Sequence, residues 1–288
     1  MHRLTQNENG LEILEIENGA ATAKIALQGA HLFDYTLRGE TPLLWVSGTA
    51  RFEPGRTVRG GVPVCWPWFG KPAGRPELPQ HGFARTALWR LADIAEPSSD
   101  RTVARFILDD TMVEQPWFPH PFRLRLEITV GPDLELSLTT ENTGEKPFKI
   151  TEALHTYFRI GDIGKVKITG LENVRYHDAL DEWKLKSSPE PVRFDRETDR
   201  VYIDTEESCT LEDPALEREI TVEKSGSAST VVWNPWTEKA ERMEDFDDEG
   251  YRRMLCIETA NAAKNAVTVP PGGEHTVNVR LYSRSSFL

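Results

Sequence analysis

Apolar and polar residues alternate with a period of two along most of the chain, which is the pattern of β-strands that bury one face. The clearest case is residues 122–130, Phe-Arg-Leu-Arg-Leu-Glu-Ile-Thr-Val, and the turn sequence Gly-Pro-Asp follows it. Residues 11–17 alternate in the same way and end at Asn-Gly, a dipeptide typical of hairpin turns. The pattern predicts further strands at residues 21–27, 31–37, 87–93, 102–108, 134–140, 148–160, 166–169, 221–224, 230–233, 254–259 and 275–282.

Helical periodicity is almost absent. Only residues 238–243 predict a short helical turn, and residues 178–199 are interpreted as a polar loop. No linker rich in Gly, Ser or Pro divides the chain, and no internal repeat is visible. We therefore expect an all-β protein, a large antiparallel β-sandwich that forms a single domain over residues 1–288.

Composition narrows the possible partners. The formal net charge of −12 argues against nucleic acid or an anionic membrane as a partner. Three cysteines without Cys-x-x-Cys spacing suit reduced thiols better than disulfides. Because the N-terminus lacks an apolar leader and no apolar stretch reaches membrane-spanning length, we expect a soluble, cytoplasmic protein, which we take to be a monomer.

The alternation is interrupted by residues 59–85. This segment begins Arg-Gly-Gly-Val-Pro-Val-Cys-Trp-Pro-Trp-Phe-Gly and ends Gln-His-Gly-Phe-Ala-Arg, with five prolines and five glycines in all. Such a composition excludes regular helix and ordinary strand, so its aromatic and basic residues fall in irregular structure. We interpret it as the wall of a binding pocket for a small, anionic, sugar-like ligand.

Arg59 and Arg85 bracket this segment and are candidates for phosphate binding, because a guanidinium offers two charge-assisted hydrogen bonds to an anion. An ordinary salt bridge is the commoner role of an arginine. His81 is either a functional loop residue or one that binds a backbone carbonyl. Aromatic walls of the pocket or buried core are the alternatives for Trp66, Trp68 and Phe69.

Three acid–base candidates lie elsewhere. His155 stands on a predicted apolar strand, where a lone histidine is usually a core residue, although its ordinary pKa of about 6.5 suits proton transfer. Glu258 follows the apolar run 254–257, so its carboxyl group should be paired, protonated or functional. Asp204 is a weaker case, since the residues alone favour a turn-capping aspartate there.

The remaining motifs predict no cofactor. Cys65 is interpreted as a small buried apolar residue, since no base partner is visible. Residues 238–249 carry seven acids, but without the spacing of a calcium loop. No zinc, P-loop, Rossmann or nucleophile-elbow motif occurs, so neither a metal nor a nucleotide cofactor is expected.

The sequence His-Thr-Tyr-Phe at residues 155–158 resembles the catalytic histidine motif of the aldose 1-epimerase superfamily, the galactose mutarotase-like β-sandwiches. The two motifs of residues 59–85, together with Cys-Ile-Glu-Thr-Ala-Asn at residues 256–261, resemble a narrower branch, the glucose-6-phosphate 1-epimerases or hexose-6-phosphate mutarotases. The resemblance implies the supersandwich fold of that superfamily. It also implies that His155 is the general acid and Glu258 the general base. Implied substrate contacts are Arg59, Gln80, Arg85, Asp204 and His81.

The implied activity is interconversion of the α and β anomers of a hexose 6-phosphate, most simply glucose 6-phosphate, by acid–base ring opening and reclosure. The enzyme would be an isomerase that needs no cofactor. Two alternatives stay open at this point. One is a non-catalytic β-sandwich that binds carbohydrate or senses sugar phosphates, and the other is a mutarotase of a neutral aldose.

Overall fold

Almost all the regular structure of the protein is β in the computed structural model, which describes residues 1–72 and 74–285. The strands are β1 (His2–Gln6), β2 (Glu12–Glu17), β3 (Ala21–Ala26), β4 (His31–Leu37), β5 (Val64–Cys65), β6 (Arg90–Ser98), β7 (Arg101–Asp109), β8 (Phe122–Val130), β9 (Leu134–Asn142), β10 (Phe148–Ile150), β11 (Glu152–Leu154), β12 (Tyr157–Arg159), β13 (Lys167–Thr169), β14 (Tyr176–Asp178), β15 (Lys184–Lys186), β16 (Thr198–Ile203), β17 (Cys209–Asp213), β18 (Arg218–Ser225), β19 (Ser229–Asn234), β20 (Met254–Asn261), β21 (Val267–Val269) and β22 (Glu274–Ser285). The helical elements are α1 (Trp236–Glu241) and the 3₁₀ turns Asp110–Met112, Gly250–Arg253 and Ala263–Asn265.

Two eight-stranded antiparallel sheets dominate the architecture. The front sheet has the order β15-β14-β16-β19-β20-β11-β5, with β12 also paired to β20. The back sheet has the order β13-β17-β18-β22-β9-β8-β7-β6. A four-stranded meander, β1-β2-β3-β4, and a two-stranded ribbon of β10 and β21 complete the fold. The expected all-β class and large antiparallel sheets are thus confirmed.

The main core lies between the front and back sheets. On the back sheet, β8 and β9 bury alternate residues, as their sequence pattern predicts. On the front sheet, Leu154, Leu255 and Ile257 are completely buried in the same core. Trp66 also lies there at 0% exposure, and its indole N–H donates to Thr140 Oγ1 on β9 at 3.0 Å. Trp66 is therefore core, with its one polar atom satisfied.

The other face of the front sheet is buried as well. A second, smaller apolar cluster lies there, made of Cys65, Ala153, Val201, Ile203, Val231, Ala260 and Ala262. All eight residues of β20 are buried, which explains why the strand begins with four apolar residues in a row, 254–257, instead of alternating. The second cluster forms the floor of the site described below.

A buried polar contact connects the front and back sheets. Glu152 on β11 is 0% exposed, and one of its oxygens accepts from His275 Nε2 on β22 at 3.0 Å and from Asn261 Nδ2 on β20 at 3.0 Å. The hydrogen bond to Glu152 raises the pKa of His275. These bonds offset part of the cost of burying the Glu152 carboxyl group, whose Oε2 has no partner among the described residues, and they hold the ends of three strands together.

Most predicted strands are confirmed to within a few residues, but one predicted strand is wrong. Residues 148–160 form three short strands, β10, β11 and β12, because β10 pairs with β21 whereas β11 and β12 pair with β20. His155 lies between β11 and β12 instead of on a strand, and its backbone N–H donates to the Pro63 carbonyl oxygen at 3.1 Å.

Other differences concern short or polar elements. The predicted loop 178–199 contains β15 and overlaps the end of β14 and the start of β16. These strands do not alternate clearly in sequence, and their pairing with one another holds them in the sheet. Strands β1 and β17 were not predicted either. The irregular segment 59–85 includes the two-residue strand β5, which pairs with β11. The predicted helical turn is present as α1, shifted by two residues, and no helix in the described ranges is long and apolar enough to cross a membrane.

Candidate active site

His155 and Glu258 meet on the floor of the front sheet. The register between β11 and β20 (Leu154 opposite Thr259) is the same as that between β12 and β20 (Tyr157 opposite Cys256), so His155 lies directly opposite Glu258. His155 Nε2 is 3.2 Å from Glu258 Oε1. The sheet thus brings together the two residues that the sequence analysis assigned to proton transfer.

The pair is buried and only partly satisfied. The side chains of His155 and Glu258 are 10% and 1% exposed, respectively. His155 Nδ1 and Glu258 Oε2 are buried without a hydrogen-bond partner in the described part of the chain. A buried polar atom without a partner is costly, so these two atoms are free to bind a polar ligand.

Burial also sets the protonation of the pair. It holds the pKa of Glu258 well above its ordinary value, and the charge of Asp199 adds to this effect. It holds the pKa of His155 well below its ordinary value, helped by the nearby charges of His81, Arg85 and Arg59. Burial therefore favours the uncharged form of both groups, a carboxylic acid beside a neutral imidazole.

Aromatic rings surround the pair on three sides. The His155 ring stacks on Tyr157 with a centroid distance of 4.7 Å and an interplanar angle of 10°. Trp233 approaches it edge-on at 6.3 Å and His81 at 5.6 Å. Phe69 packs on the floor cluster and meets the His81 ring at 4.9 Å. This arrangement fixes the imidazole plane and gives the site apolar walls.

Arg59 is held in place from two sides. Its guanidinium donates to the Tyr157 hydroxyl oxygen at 3.2 Å and forms an ion pair with Asp245 at 3.2 Å. Asp245 belongs to the acidic segment 238–249, which thus supplies a site residue that the sequence analysis missed. The run of acids concealed which one would face inward.

Arg85 differs from Arg59 because the described residues provide no carboxylate within salt-bridge distance of its guanidinium. Its Nη2 donates to the Gln80 carbonyl oxygen at 2.5 Å. Burial lowers the pKa of Arg85, and the charge of Arg59 acts in the same direction. A partly buried cation without a counter-ion is a strong anion-binding group.

His81 is positioned by a tight loop. It has a φ of 63°, and Gly82 after it has a φ of 73°. A Cβ at Gly82 would lie 1.9 Å from the Trp66 carbonyl oxygen, so only glycine fits there. The Gly70 N–H donates to His81 Nδ1 at 3.1 Å. The neutral ring therefore carries its proton on Nε2. The Gln80 amide nitrogen, 3.1 Å from it, can only donate, so a hydrogen bond between the two side chains requires the Gln80 amide to turn its oxygen toward His81.

The other residues of segment 59–85 are structural. The Trp68 indole N–H donates to the Pro79 carbonyl oxygen at 2.8 Å, which braces the loop. Cys65 is fully buried, and burial raises the pKa of its thiol far above the ordinary value. A thiol held protonated in this way is a poor nucleophile, in agreement with its interpretation as a small apolar residue.

Asp199 is a site residue that the sequence analysis missed. It lies opposite Trp233, on the same face of the front sheet as the pair. Burial raises the pKa of Asp199 to about 6, against the opposing charge of Lys239, whose Nζ is 4.0 Å away. The sequence contained a signal for this position of Asp199. Asp199, Val201 and Ile203 are spaced by two and therefore share one face of β16.

Asp204 lies at the exposed end of β16 with a φ of 56°. Its carboxylate accepts from Arg175 at 3.1 Å and from Asn265 at 3.1 Å, and it pairs with Lys264. Within residues 1–72 and 74–285, no hydrogen bond or ion pair connects it to His155 or Glu258. Its contact with a substrate stays a prediction.

Comparison with known proteins identifies the family. The model of the family described as aldose 1-epimerase matches residues 12–282, which is nearly the whole chain. The chain belongs to the aldose 1-epimerase family. The resemblance that the motifs indicated is thereby confirmed.

Within the aldose 1-epimerase family, two similar proteins from distant organisms carry the same name. A protein of Escherichia coli K12 named "putative glucose-6-phosphate 1-epimerase" is 38% identical over 88% of this chain and 84% of its own length. A protein of the same name from Cenchrus ciliaris is 34% identical over 94% of this chain and 84% of its own length.

Solved structures agree in fold. The crystal structure of a Salmonella typhimurium protein titled as a "putative mutarotase" has a TM-score of 0.92 and 32% identity, covering 99% of this chain and 94% of its own. Galactose 1-epimerase from Lactobacillus acidophilus has a TM-score of 0.76 at 14% identity, covering 99% of each chain. The latter likeness shows the galactose mutarotase-like fold alone.

The charges around the pair lead to a pH prediction. Arg85→Gln should raise the pKa of both His155 and His81, since the charge of the nearby guanidinium disfavours the imidazolium form of each ring. Histidine side-chain NMR titration measures the change. Arg75→Gln, which removes an exposed arginine of the same segment, serves as the control. Unchanged titration of both rings in Arg85→Gln would show that the arginine does not act on the pair.

Proposed function

We propose that the protein interconverts the α and β anomers of hexose 6-phosphates, with D-glucose 6-phosphate as the substrate. The observation that carries this proposal is the contact between His155 and Glu258, with a free polar atom on each, beside two arginines. A proton donor and a proton acceptor are all that ring opening of a hemiacetal requires. The arginines supply the preference for a phosphorylated sugar.

His155 and Glu258 each carry out one of the two proton transfers. His155 protonates the ring oxygen while Glu258 removes the proton of the anomeric hydroxyl, which opens the ring to the aldehyde. Rotation about the C1–C2 bond presents the other face of the carbonyl, and the reverse transfers close the ring as the other anomer. The two residues exchange roles on reclosure, so the enzyme returns to its starting state.

The substrate itself prepares the pair for catalysis. The reaction starts from a His155 imidazolium and a Glu258 carboxylate. Together these two charged groups hold the same number of protons as a neutral imidazole and a carboxylic acid. Arg59 and Arg85 both lower the pKa of His155, and a bound phosphate dianion offsets their charge. Binding therefore favours transfer of the Glu258 proton to His155 without any proton from solvent.

The remaining contacts are proposed from position. Arg85 binds the phosphate because it has no carboxylate partner among the described side chains, and Arg59 assists it from its place beside Tyr157. Gln80 and His81, which face each other next to the pair, bind sugar hydroxyls. Asp199 is a further hydroxyl ligand on the floor, whereas Asp204 would reach the sugar from the exposed end of β16.

We propose that the enzyme works in the cytoplasm. Three free, buried cysteines suit the reducing conditions of the cytoplasm. The substrate is a small metabolite, and we propose that the protein acts on it as a monomer, without nucleic acid.

Exchange NMR provides the direct test of the function. The protein should accelerate α/β exchange of glucose 6-phosphate far above the spontaneous rate, and that of free glucose much less. The reason is that only the phosphorylated sugar offsets the charge of the arginines. Spontaneous exchange of each sugar in the same buffer is the control.

The outcomes separate the competing functions. Acceleration of neither sugar would leave a non-catalytic sugar-phosphate binder. Faster exchange of glucose than of glucose 6-phosphate would make the protein a mutarotase of neutral aldoses and would remove the phosphate from the proposal.

Arg85→Ala tests the phosphate site. A hydrogen bond to a charged group contributes about 1.5–3 kcal/mol, so KM for glucose 6-phosphate should rise roughly tenfold to a hundredfold. Steady-state exchange kinetics measure it, and Arg75→Ala is the matched control because Arg75 pairs with Glu77 in the same segment. An unchanged KM would remove Arg85 from the substrate site.

A further inference from the structure

Cys256 carries a buried thiol next to His155 and Glu258. The proposed reaction has no role for this thiol. It precedes Glu258 by two residues on β20, so both side chains lie on the same face of the front sheet. One donor atom each from His155, Cys256 and Glu258 lie within 4.8 Å of one another, and all three residues are buried. The front sheet thus gathers a nitrogen, a sulfur and an oxygen around one point.

This donor set has a clear chemical preference. Imidazole, thiolate and carboxylate together are typical ligands of Zn²⁺ and similar transition-metal dications. The sulfur disfavours Mg²⁺ and Ca²⁺, which prefer oxygen ligands. Three protein ligands leave a fourth position of a tetrahedral ion open.

The spacing is close to what a bound ion needs. Ligand bonds of about 2.0–2.3 Å in a tetrahedral site place the donor atoms roughly 3.3–3.8 Å apart. The His155 and Glu258 donors are already 3.2 Å apart. Only the Cys256 sulfur has to approach, by on the order of 1 Å, which a small side-chain rotation supplies.

A second observation supports a ligand at this point. Glu258 Oε2 is buried without a partner among the described atoms, so the carboxyl group that faces His155 Nε2 through Oε1 still has an oxygen available to a ligand. A dication bound to the carboxylate compensates its burial better than a neutral neighbour does. The charges of Arg59 and Arg85 oppose a cation at this point, so the stability of the bound ion has to come from the ligand bonds themselves.

We propose that His155, Cys256 and Glu258 form a binding site for a thiophilic dication of the Zn²⁺ class, which inhibits the enzyme by occupying the place of the sugar's anomeric centre. On binding, the Cys256 thiol and the Glu258 carboxyl group each release a proton to solvent, and the ion takes their place. The inhibition rests on the proposed function, whereas the binding itself does not.

Cobalt titration tests the site directly. Co²⁺ added to the metal-free protein should produce a thiolate-to-cobalt charge-transfer band, which reports sulfur ligation specifically, and Zn²⁺ should remove that band by displacement. Glucose 6-phosphate should weaken Co²⁺ binding, because both ligands need His155 and Glu258.

Cysteine variants identify the sulfur. Cys256→Ser and Cys256→Ala should lose the band and weaken Zn²⁺ binding by at least about tenfold, since even residues that only support a metal ligand change affinity by 10- to 100-fold. Both variants should keep anomer exchange, and Zn²⁺ should no longer inhibit it. Cys209→Ser is the control, because Cys209 lies on β17 of the back sheet.

The results of these titrations distinguish the metal site, its overlap with the sugar site and the proposed function from one another. Binding without a charge-transfer band, or a band that persists in both Cys256 variants, would overturn the site. A band that glucose 6-phosphate does not affect would separate the ion from the sugar site. A band in a wild-type protein that shows no anomer exchange would refute the proposed function while leaving the metal site intact.

Discussion

The buried carboxyl group of Glu258 is the constraint on which the site depends. Its side chain is 1% exposed on a strand whose eight residues are all buried, and a carboxyl group in such a place needs a partner. The register of the front sheet provides one by placing His155 directly opposite. The break between β11 and β12 keeps this register while leaving His155 outside the ladder, so its ring can turn toward the carboxyl group. Neither residue makes full use of its polar atoms, and a sugar hemiacetal can satisfy those that are left.

Electrostatics extend this constraint to the edge of the site. Arg59 has Asp245 and Tyr157 as partners, whereas Arg85 has only a carbonyl oxygen as a hydrogen-bond acceptor among the described residues. Both cations disfavour a charged His155, so an anionic ligand relieves two costs together. It pairs with the arginines, and it allows the proton of Glu258 to move to the imidazole. In the proposed function, specificity for a phosphate and activation of the acid–base pair would thus have the same physical origin.

The alternation of apolar and polar residues alone predicted the all-β class and most long strands. In strands such as β8, every second residue is buried, so the sequence shows the pattern directly. Alternation failed in short strands of polar sequence, such as β14 and β15, and where one segment changes partners, as residues 148–160 do. The motifs led to His155, Glu258, Arg59 and Arg85, and the structure places these side chains near one another. Asp199 and Asp245 were missed because they lie in polar stretches where only the tertiary fold decides which carboxylate faces inward. The meeting of residues 155 and 258 could not be read from spacing, since strand register is a property of the folded sheet.

The joint action of His155 and Glu258 is tested most directly by anomer exchange of glucose 6-phosphate in His155→Asn, Glu258→Gln and the double variant. Each single variant should lose about 10²–10⁴-fold in exchange rate with the fold retained. Because donor and acceptor act in one step, the double variant should be hardly slower than the slower single variant. Exchange at the wild-type rate in either single variant, or losses that multiply in the double variant, would contradict the account.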